Sequence, residues 1–547
     1  MHGPTSLGHR APLLWLLIPF GGGIAAAHFL FAAVPTAIAL GITFTGLIAA
    51  ASLHRKSPGI SIACFVVGLT GLGSGYYELR RERQPVWDDL PDREARLEVR
   101  LLSSPPRETE SRFLNFHGRI THAPNHLQDL TGQAVYLHVR RPSDVARITR
   151  GAVMQVVGQL KVVPRSIGQT GFQQYLSNTG YNFQLSRGRV EGITQPPSAY
   201  AVFRNRLKTR ASRALVSGLE YYPAVQVALR AMLLGERTDM DDAQKDLFLR
   251  SGTMHLFAIS GLHIGIIAAA LYGALRFMRL PRLPAFALGS LSLVFYVDMI
   301  GNTPSATRAW LMVTCVHAAM IARAPGNSLS ALAASALGVL LLDPSQLFSL
   351  GFQMSYGIVS ALLLYGLPLG EACQQRYRLW SDLPPASLSS AQRWLQNRWS
   401  DLLMVTALAC SASLIGWISG VAFFGWFTPG GLLANLTLIP LASFAIVGGF
   451  VALVSGLAGF SFLAQLFNHA AALILIMMQG ALEGLLLVPG ASHAMTVTHG
   501  AWGVIALLSV LGAMVWGYLK NWDQRVGWYA TPVAVTTVML VTGARFV

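Results

Sequence analysis

The residues in this chain able to do chemistry are few, and most lie in one stretch. Ser251–Gly265 (SGTMHLFAISGLHIG) carries His255, Ser260 and His263, together with Gly261 and Gly265, inside otherwise apolar sequence. Polar side chains in a membrane span are costly unless they meet protein partners or line a pathway. On a continuous helix, His255 and His263 stand about 80° apart around the axis and about 12 Å along it, too far to share a metal ion. Gly261 and Gly265 are four apart, a small-xxx-small face that lets another helix approach. Two readings stay open: close packing with each imidazole satisfied by a neighbouring helix, or a role lining a pathway.

Further polar groups follow. Asp298 and Arg308 flank the loop Gly301–Arg308 (GNTPSATR), and a hairpin there would bring them together as an ion pair. Asp343 opens a polar cluster with Ser345 and Gln346, and Gly351, Phe352, Gln353 and Ser355 come next. Gln353 and Ser355 need buried hydrogen-bond partners in such an apolar run. Glu483 is read as an acid at a helix–water boundary. Walker A, HEXXH and HxHxDH patterns are absent, so the sequence offers no ATP engine and no ligand set for metal-assisted hydrolysis. Cys64, Cys315, Cys373 and Cys410 are scattered and read as buried free thiols. The expectation is a non-enzyme with no metal and no cofactor.

The elements that must position these residues are mainly membrane spans. The chain is 53% hydrophobic and 12% charged, with mean hydropathy +0.47, about half the charge of a soluble protein. Two apolar runs fill residues 11–52 and a third is Pro58–Tyr77; the first is too long for a cleaved leader. Ten more apolar stretches follow, near 253–275, 284–301, 309–322, 329–342, 345–368, 403–427, 431–458, 460–487, 502–519 and 529–544. The basic loops Arg276/Arg279/Arg282, Arg376/Arg378/Arg393/Arg398 and Lys520/Arg525 then share one face, as does Arg55/Lys56, and the positive-inside rule makes that face cytoplasmic. Residues 78–250 fall outside.

That outer region has its own chemistry. Segments 95–103, 113–121, 133–140, 153–163 and 181–193 read as strands, with clear alternation at Leu97/Val99/Leu101 and Val135/Leu137/Val139. Five short strands suit a small OB-like barrel. Residues 111–213 hold 15 lysines and arginines against three acids, a net +12 of the chain's +16. Such charge attracts polyanions. Interleaved aromatics supply stacking surfaces. The candidate nucleic-acid contacts are Arg119, Arg140, Arg141, Lys161, Arg165, Phe172, Tyr175, Arg187 and Arg189. A basic domain beside an acidic lipid surface is the competing reading. Residues 199–219 form a basic amphipathic helix, read as lying at the membrane interface. A second helix over 223–234 ends at Gly235, and Asp239 or Asp241 caps the next.

The stretch Leu234–Gly265 closely resembles the ComEC/Rec2 competence family, above all in HLFAISGLHIG. Pro304 with Arg308, Asp343-Pro344, and Gly351-Phe352-Gln353 with Ser355 follow in the family's order, and Gly171-Phe172, Tyr175-Leu176 and Gly180 resemble the end of its extracytoplasmic domain. The resemblance implies an inner-membrane channel subunit for single-stranded DNA in natural transformation. It implies a periplasmic DNA receptor and a cytoplasmic helicase as partners, and possible homo-oligomers. Many members carry a C-terminal metallo-β-lactamase-like domain. The HxHxDH ligands are absent here, so the resemblance implies a separate nuclease. A transporter of another anionic polymer or lipid-linked solute, and a membrane-embedded transferase, remain alternatives.

The expected architecture is a polytopic α-helical membrane protein of roughly 10–13 spans with one inserted OB-like β domain. Its expected divisions are N-terminal spans at 1–77, the β domain at 78–197, amphipathic surface helices at 198–250 and a channel domain at 251–547. The N-terminus is expected in the cytoplasm and the β domain outside it.

Overall fold

The structure is a computed structural model that describes residues 11–29, 36–81, 87, 90–103, 112–142, 148–163, 172–236, 240–257, 259–322, 327–384, 387–498, 502–520, 522 and 529–546. Three apolar helices open it: α1 (Leu14–Phe29), α2 (Thr36–Leu53) and α3 (Pro58–Arg81). Glycines set their spacing. Gly23 faces the Thr70 carbonyl and Gly73 faces the Phe20 carbonyl with no room for a Cβ at either place. A Cβ on Gly46 would sit 2.8 Å from the Cα of Gly68. Backbones this close exchange dispersion contacts that larger residues would prevent.

Next comes a closed five-stranded barrel, ordered β1-β2-β3-β5-β4. The strands are β1 (Arg93–Leu101), β2 (Phe113–His122), β3 (Ala134–Arg140), β4 (Val153–Val162) and β5 (Phe183–Gln195), with α4 (Phe172–Asn178) between the last two. Each strand end lies no more than two residues from its expected place. Alternation explains the accuracy, because one parity of each strand fills the barrel. Leu97, Val99, Phe116, Leu137, Met154 and Phe183 form part of that core.

The helical bundle follows. α5 (Ala199–Val216) is capped by Ser198, whose hydroxyl accepts from the Ala201 amide, and it packs along the later helices. α6 (Pro223–Leu234) ends at Gly235, whose φ of 73° suits the left-handed cap. α7 (Asp242–Arg250) is capped by Asp241 rather than Asp239, with Oδ1 2.6 Å from the Gln244 amide. The surface placement expected of 198–250 is corrected for α6. Val225, Leu229, Met232, Leu233 and Leu234 are buried in the main bundle core. Its apolar residues run almost around the helix, and such a helix buries itself rather than lying at an interface.

The stretch 253–275 is not one span. A single 3₁₀ turn covers Met254–Phe257, and α8 (Gly261–Phe277) begins only at Gly261. Then come α9 (Arg282–Met299), α10 (Pro304–Ile321), α11 (Ser328–Leu342), a 3₁₀ turn over Pro344–Phe348, and α12 (Leu350–Ala361). α12 continues through a π turn into α13 (Leu367–Arg376). The last helices are α14 (Ser390–Ser419), α15 (Gly431–Leu457), α16 (Ser461–Leu486), α17 (Trp502–Leu519) and α18 (Thr531–Gly543). A three-stranded sheet joins β6 (Trp426–Phe427), β7 (His493–Val497) and β8 (Ala544–Phe546). The sequence reading placed the first of these inside a span and missed the other two, because runs this short carry no readable period.

Among the described residues, seven helices are long and apolar enough to cross a membrane: Pro58–Arg80, Arg282–Met299, Leu350–Arg376, Ser390–Phe424, Gly431–Leu457, Ser461–Leu486 and Trp502–Leu519. α1, α8, α11 and α18 are apolar but shorter. The four cysteines are free and half-buried rather than buried.

Candidate nucleic-acid interface

Exposed aromatics stand on the outer surface of β2, at Phe113, and on α4 beside it, at Phe172 and Tyr175. Register pairs Phe113 with Arg140, Asn115 with His138, His117 with Tyr136, and Arg119 with Ala134. Alternation sends Leu114, Phe116 and Leu137 inward, so these pairs point out. Phe113 stacks on His138, centroids 4.8 Å apart and planes 15° from parallel. Tyr136 meets His117 at 5.4 Å and Phe172 of α4 at 5.0 Å. Phe172 and Tyr175 lie side by side at 5.9 Å, and are 47% and 50% exposed. Arg119 and Arg140 bracket this stripe. Phe113, Phe172 and Tyr175 leave ring surface open to solvent beside the Arg119 and Arg140 guanidinium groups, while Tyr136, 8% exposed, lies buried beneath Phe172.

The rings are held from beneath. The Tyr181 hydroxyl lies 2.7 Å from His117 Nδ1. Burial raises the Tyr181 phenol well above its usual range and lowers the His117 imidazole, so near neutral pH an uncharged phenol and an uncharged imidazole share this hydrogen bond.

Lys161, Arg187 and Arg189 do not join this surface. Lys161 is 2.6 Å from Asp92, and Arg187 and Arg189 line a cleft with Asp92, Glu94 and Glu191. Arg96 also reaches Glu191 at 2.6 Å. On that side Asp92, Glu94 and Glu191 offset much of the basic charge. Counting charge along the chain could not separate it from the stripe. Arg141 donates its backbone amide to the Arg112 carbonyl beyond the end of β3, and Arg165 lies outside the described residues.

The barrel sits against the bundle at two places. Gly180, in the turn before β5, lies over Ser345, a Cβ there falling 3.6 Å from its Oγ. Arg150, in the turn before β4, reaches Asp298 at 3.1 Å, and Arg204 of α5 reaches the same carboxylate at 3.2 Å. The Tyr200 hydroxyl donates to it at 2.9 Å. The expected Asp298–Arg308 pair is therefore corrected. The barrel and α5 supply the partners, and residues that distant in sequence leave no local signal.

The signature residues meet where three helices begin. Ser260 caps α8, its Oγ 2.8 Å from His263 Nδ1, and that nitrogen also accepts from the Ser260 amide at 3.3 Å. His263 is fully buried, while His255 is exposed in the 3₁₀ turn. The separation expected of a continuous helix does not apply to them. Gly261 faces Ala309 of α10 at 3.8 Å, an ordinary contact, and Gly265 has nothing within 4 Å, so the expected packing face is corrected at Gly265. Pro304 starts α10, and the Ser305 hydroxyl donates to the Ile259 carbonyl at 2.8 Å. Arg308, one turn on, is buried against Gly351 of α12. Asp343 caps the preceding turn, accepting from the Ser345 amide and hydroxyl and from Gln346. Phe352 packs on Tyr356, Gln353 donates to the Leu347 carbonyl at 3.3 Å, and Ser355 is half-buried. Glu483 accepts from Gln479 on an exposed face.

These signature residues all fall within residues 232–521, which match the family model for the competence protein. The chain belongs to the ComEC/Rec2 competence family. It is 34% identical to ComE operon protein 3 of Bacillus subtilis over 198 residues, 36% of this chain and 25% of that one. It is 26% identical to competence protein ComA of Neisseria gonorrhoeae over 243 residues, 41% of this chain and 32% of that one. Recombination protein 2 of Haemophilus influenzae is 25% identical over 236 residues, 41% of this chain and 28% of that protein. The matches thus span a quarter to a third of these relatives' length. No solved structure matches. The competence match contains the three helix beginnings and lies wholly after the barrel and α5, so the aromatic stripe stands on its own geometry.

Proposed function

We propose that this competence-family chain is an inner-membrane channel subunit for single-stranded DNA uptake in natural transformation. The observation that carries the reading is the surface of Phe113, His138, Phe172 and Tyr175, seated over the buried Tyr136 and bracketed by Arg119 and Arg140. It stands on the barrel whose Gly180 turn lies on the bundle beside the signature helices. In this reading the barrel lies outside the cytoplasm, as the basic loops on the opposite side indicate. A strand collected on the ring faces passes to the bundle at the Asp343–Ser349 turn. The chain conducts the strand, and cleavage of its complement and motive force come from other proteins: a periplasmic receptor delivers the DNA, a separate nuclease trims it and a cytoplasmic helicase or the proton-motive force draws it in.

The test is oligonucleotide binding by the full chain in phosphatidylcholine nanodiscs, followed across salt. A thymidylate 20-mer that binds with a log–log salt slope steeper than about −2, several phosphates engaged, supports the reading. Absence of binding at low salt removes it. Loss of transformation on deletion of the gene, in a transformable host, is the cellular counterpart.

A further inference from the structure

Arg308 is 4% exposed, and its Nε and Nη1 are buried without a hydrogen-bond partner. No carboxylate among the described residues pairs with it, and the group it interacts with electrostatically is the phenol of Tyr356. A buried cation in this state costs several kcal/mol unless something answers its charge. Its Nη2 points to Gly351, where a Cβ would lie 3.0 Å away. Gly351 is exposed and stands in the first turn of α12, where the amides of Leu350 and Gly351 have no partner within the helix. The next residue, Ala309, meets Gly261 at the start of α8. The guanidinium of α10 thus faces the beginning of α12, and neither helix carries an acid in its first turn. Helix N-termini carry partial positive charge.

We propose that Arg308 and the first-turn amides of α12 form a phosphate-binding station. Its ligand is a phosphodiester of the conducted strand. This rests on the strand-conduction reading and adds to it a specific contact inside the bundle. The exposed face of Gly351 is the way in, and glycine is required because a side chain there would occupy the space between guanidinium and amides. Nε and Nη1 are buried without partners, so the site contributes binding at the expense of stability.

The experiment uses the full chain in phosphatidylcholine nanodiscs with the thymidylate 20-mer, comparing native protein, Arg308→Met and Gly351→Ala. Alanine suits a helix's first turn, so Gly351→Ala keeps the fold while narrowing the site. The expected result is affinity roughly ten-fold weaker for Arg308→Met, as loss of a charged hydrogen-bonding group requires, with a salt slope shallower by about 0.7. Gly351→Ala weakens binding in the same direction. Without oligonucleotide, Arg308→Met melts at or above the native temperature. Native binding that neither variant changes overturns the station and leaves the conduction reading standing. A native chain that binds no oligonucleotide overturns that reading and the station with it. An Arg308→Met that melts lower yet binds like the native chain makes Arg308 a structural residue. A melting difference that appears only with phosphatidylglycerol in the disc, with oligonucleotide binding unchanged, assigns the site to a lipid headgroup and overturns the proposal.

Discussion

Arg150 Nη1 lies 3.1 Å from Asp298 Oδ1, tying the barrel to the end of α9 across 148 positions of sequence. Arg204, Tyr200 and Asn302 complete the shell around that carboxylate. Both ion-pair partners are largely shielded from solvent, with side-chain exposures of 22% and 11%. Asp298→Ala leaves two guanidinium groups facing one another with no counter-charge. The expected loss is about 1–3 kcal/mol, less than for a fully buried pair because water reaches the site. Thermal melting in nanodiscs measures it. Asp298→Asn, which keeps the hydrogen-bonding shape, loses less. In a double-mutant cycle with Arg150→Gln, additivity within about 0.3 kcal/mol would show that the pair does not couple barrel and bundle.

The stripe makes a sharper claim than the charge count did. Phe172→Ala and Tyr175→Ala each remove a ring face, worth about 1–3 kcal/mol per stacked base, so affinity for a thymidylate oligonucleotide falls roughly 5- to 150-fold. The salt slope stays unchanged, since no phosphate contact is lost. Arg119→Ala and Arg140→Ala do the reverse, each flattening the slope by about 0.7. Arg187→Ala and Arg189→Ala, facing Asp92, Glu94 and Glu191, leave affinity near its native value. Equal losses at all four arginines would show that the whole barrel, not one face of it, meets the strand.

His117 gives the barrel a pH dependence. Burial lowers its folded pKa below the ordinary 6.5, so the unfolded chain takes up a proton first as pH falls. The stability contributed by neutral His117 is complete above about pH 6.5 and is lost as pH drops through its folded value. Once protonated, Nδ1 can only donate to the Tyr181 hydroxyl, which then acts as acceptor. Hydrogen exchange of β2 and β3 amides, corrected for intrinsic rates, should show protection declining from pH 7 to pH 5. His117→Gln, which does not titrate, should flatten that decline. An equal decline in the variant assigns it to another group.

What could be read from the sequence depended on how local the signal was. The barrel was legible because the parity of Leu97, Val99 and Leu101 fixes which face is buried. The helix cap at Asp241 and the stop at Gly235 were legible because both act on adjacent backbone. The break before α8 was not recognised, since apolar residues flank it on both sides. Its available signal was Ser260 with His263 three residues on, the spacing of an N-cap and a third-position partner. The placement of Lys161, Arg187 and Arg189 away from the stripe depends on strand order around the barrel, and Asp298's partners depend on how the barrel docks. Neither is written in any short window.

Glycine packing in the bundle does not follow the four-residue spacing. Sequence spacing chose Gly261 and Gly265, four apart, as the close-packing pair. The structure instead places the closest backbones at Gly23 against Thr70 and Gly73 against Phe20, where α1 crosses α3, while Gly265 faces open space. Gly73→Leu must force α1 and α3 apart or displace the Phe20 backbone. Overpacking of this kind costs about 1–3 kcal/mol or more and should lower the melting temperature of the whole chain. Gly265→Ala adds a methyl group where nothing stands and removes backbone freedom from a helix interior. It should be neutral or raise stability by up to about 1 kcal/mol. Both are read by the same thermal melt in nanodiscs. If Gly265→Ala is the more damaging of the two, a partner absent from this single chain packs on that face of α8, and the small-residue spacing reports an interface rather than an internal contact.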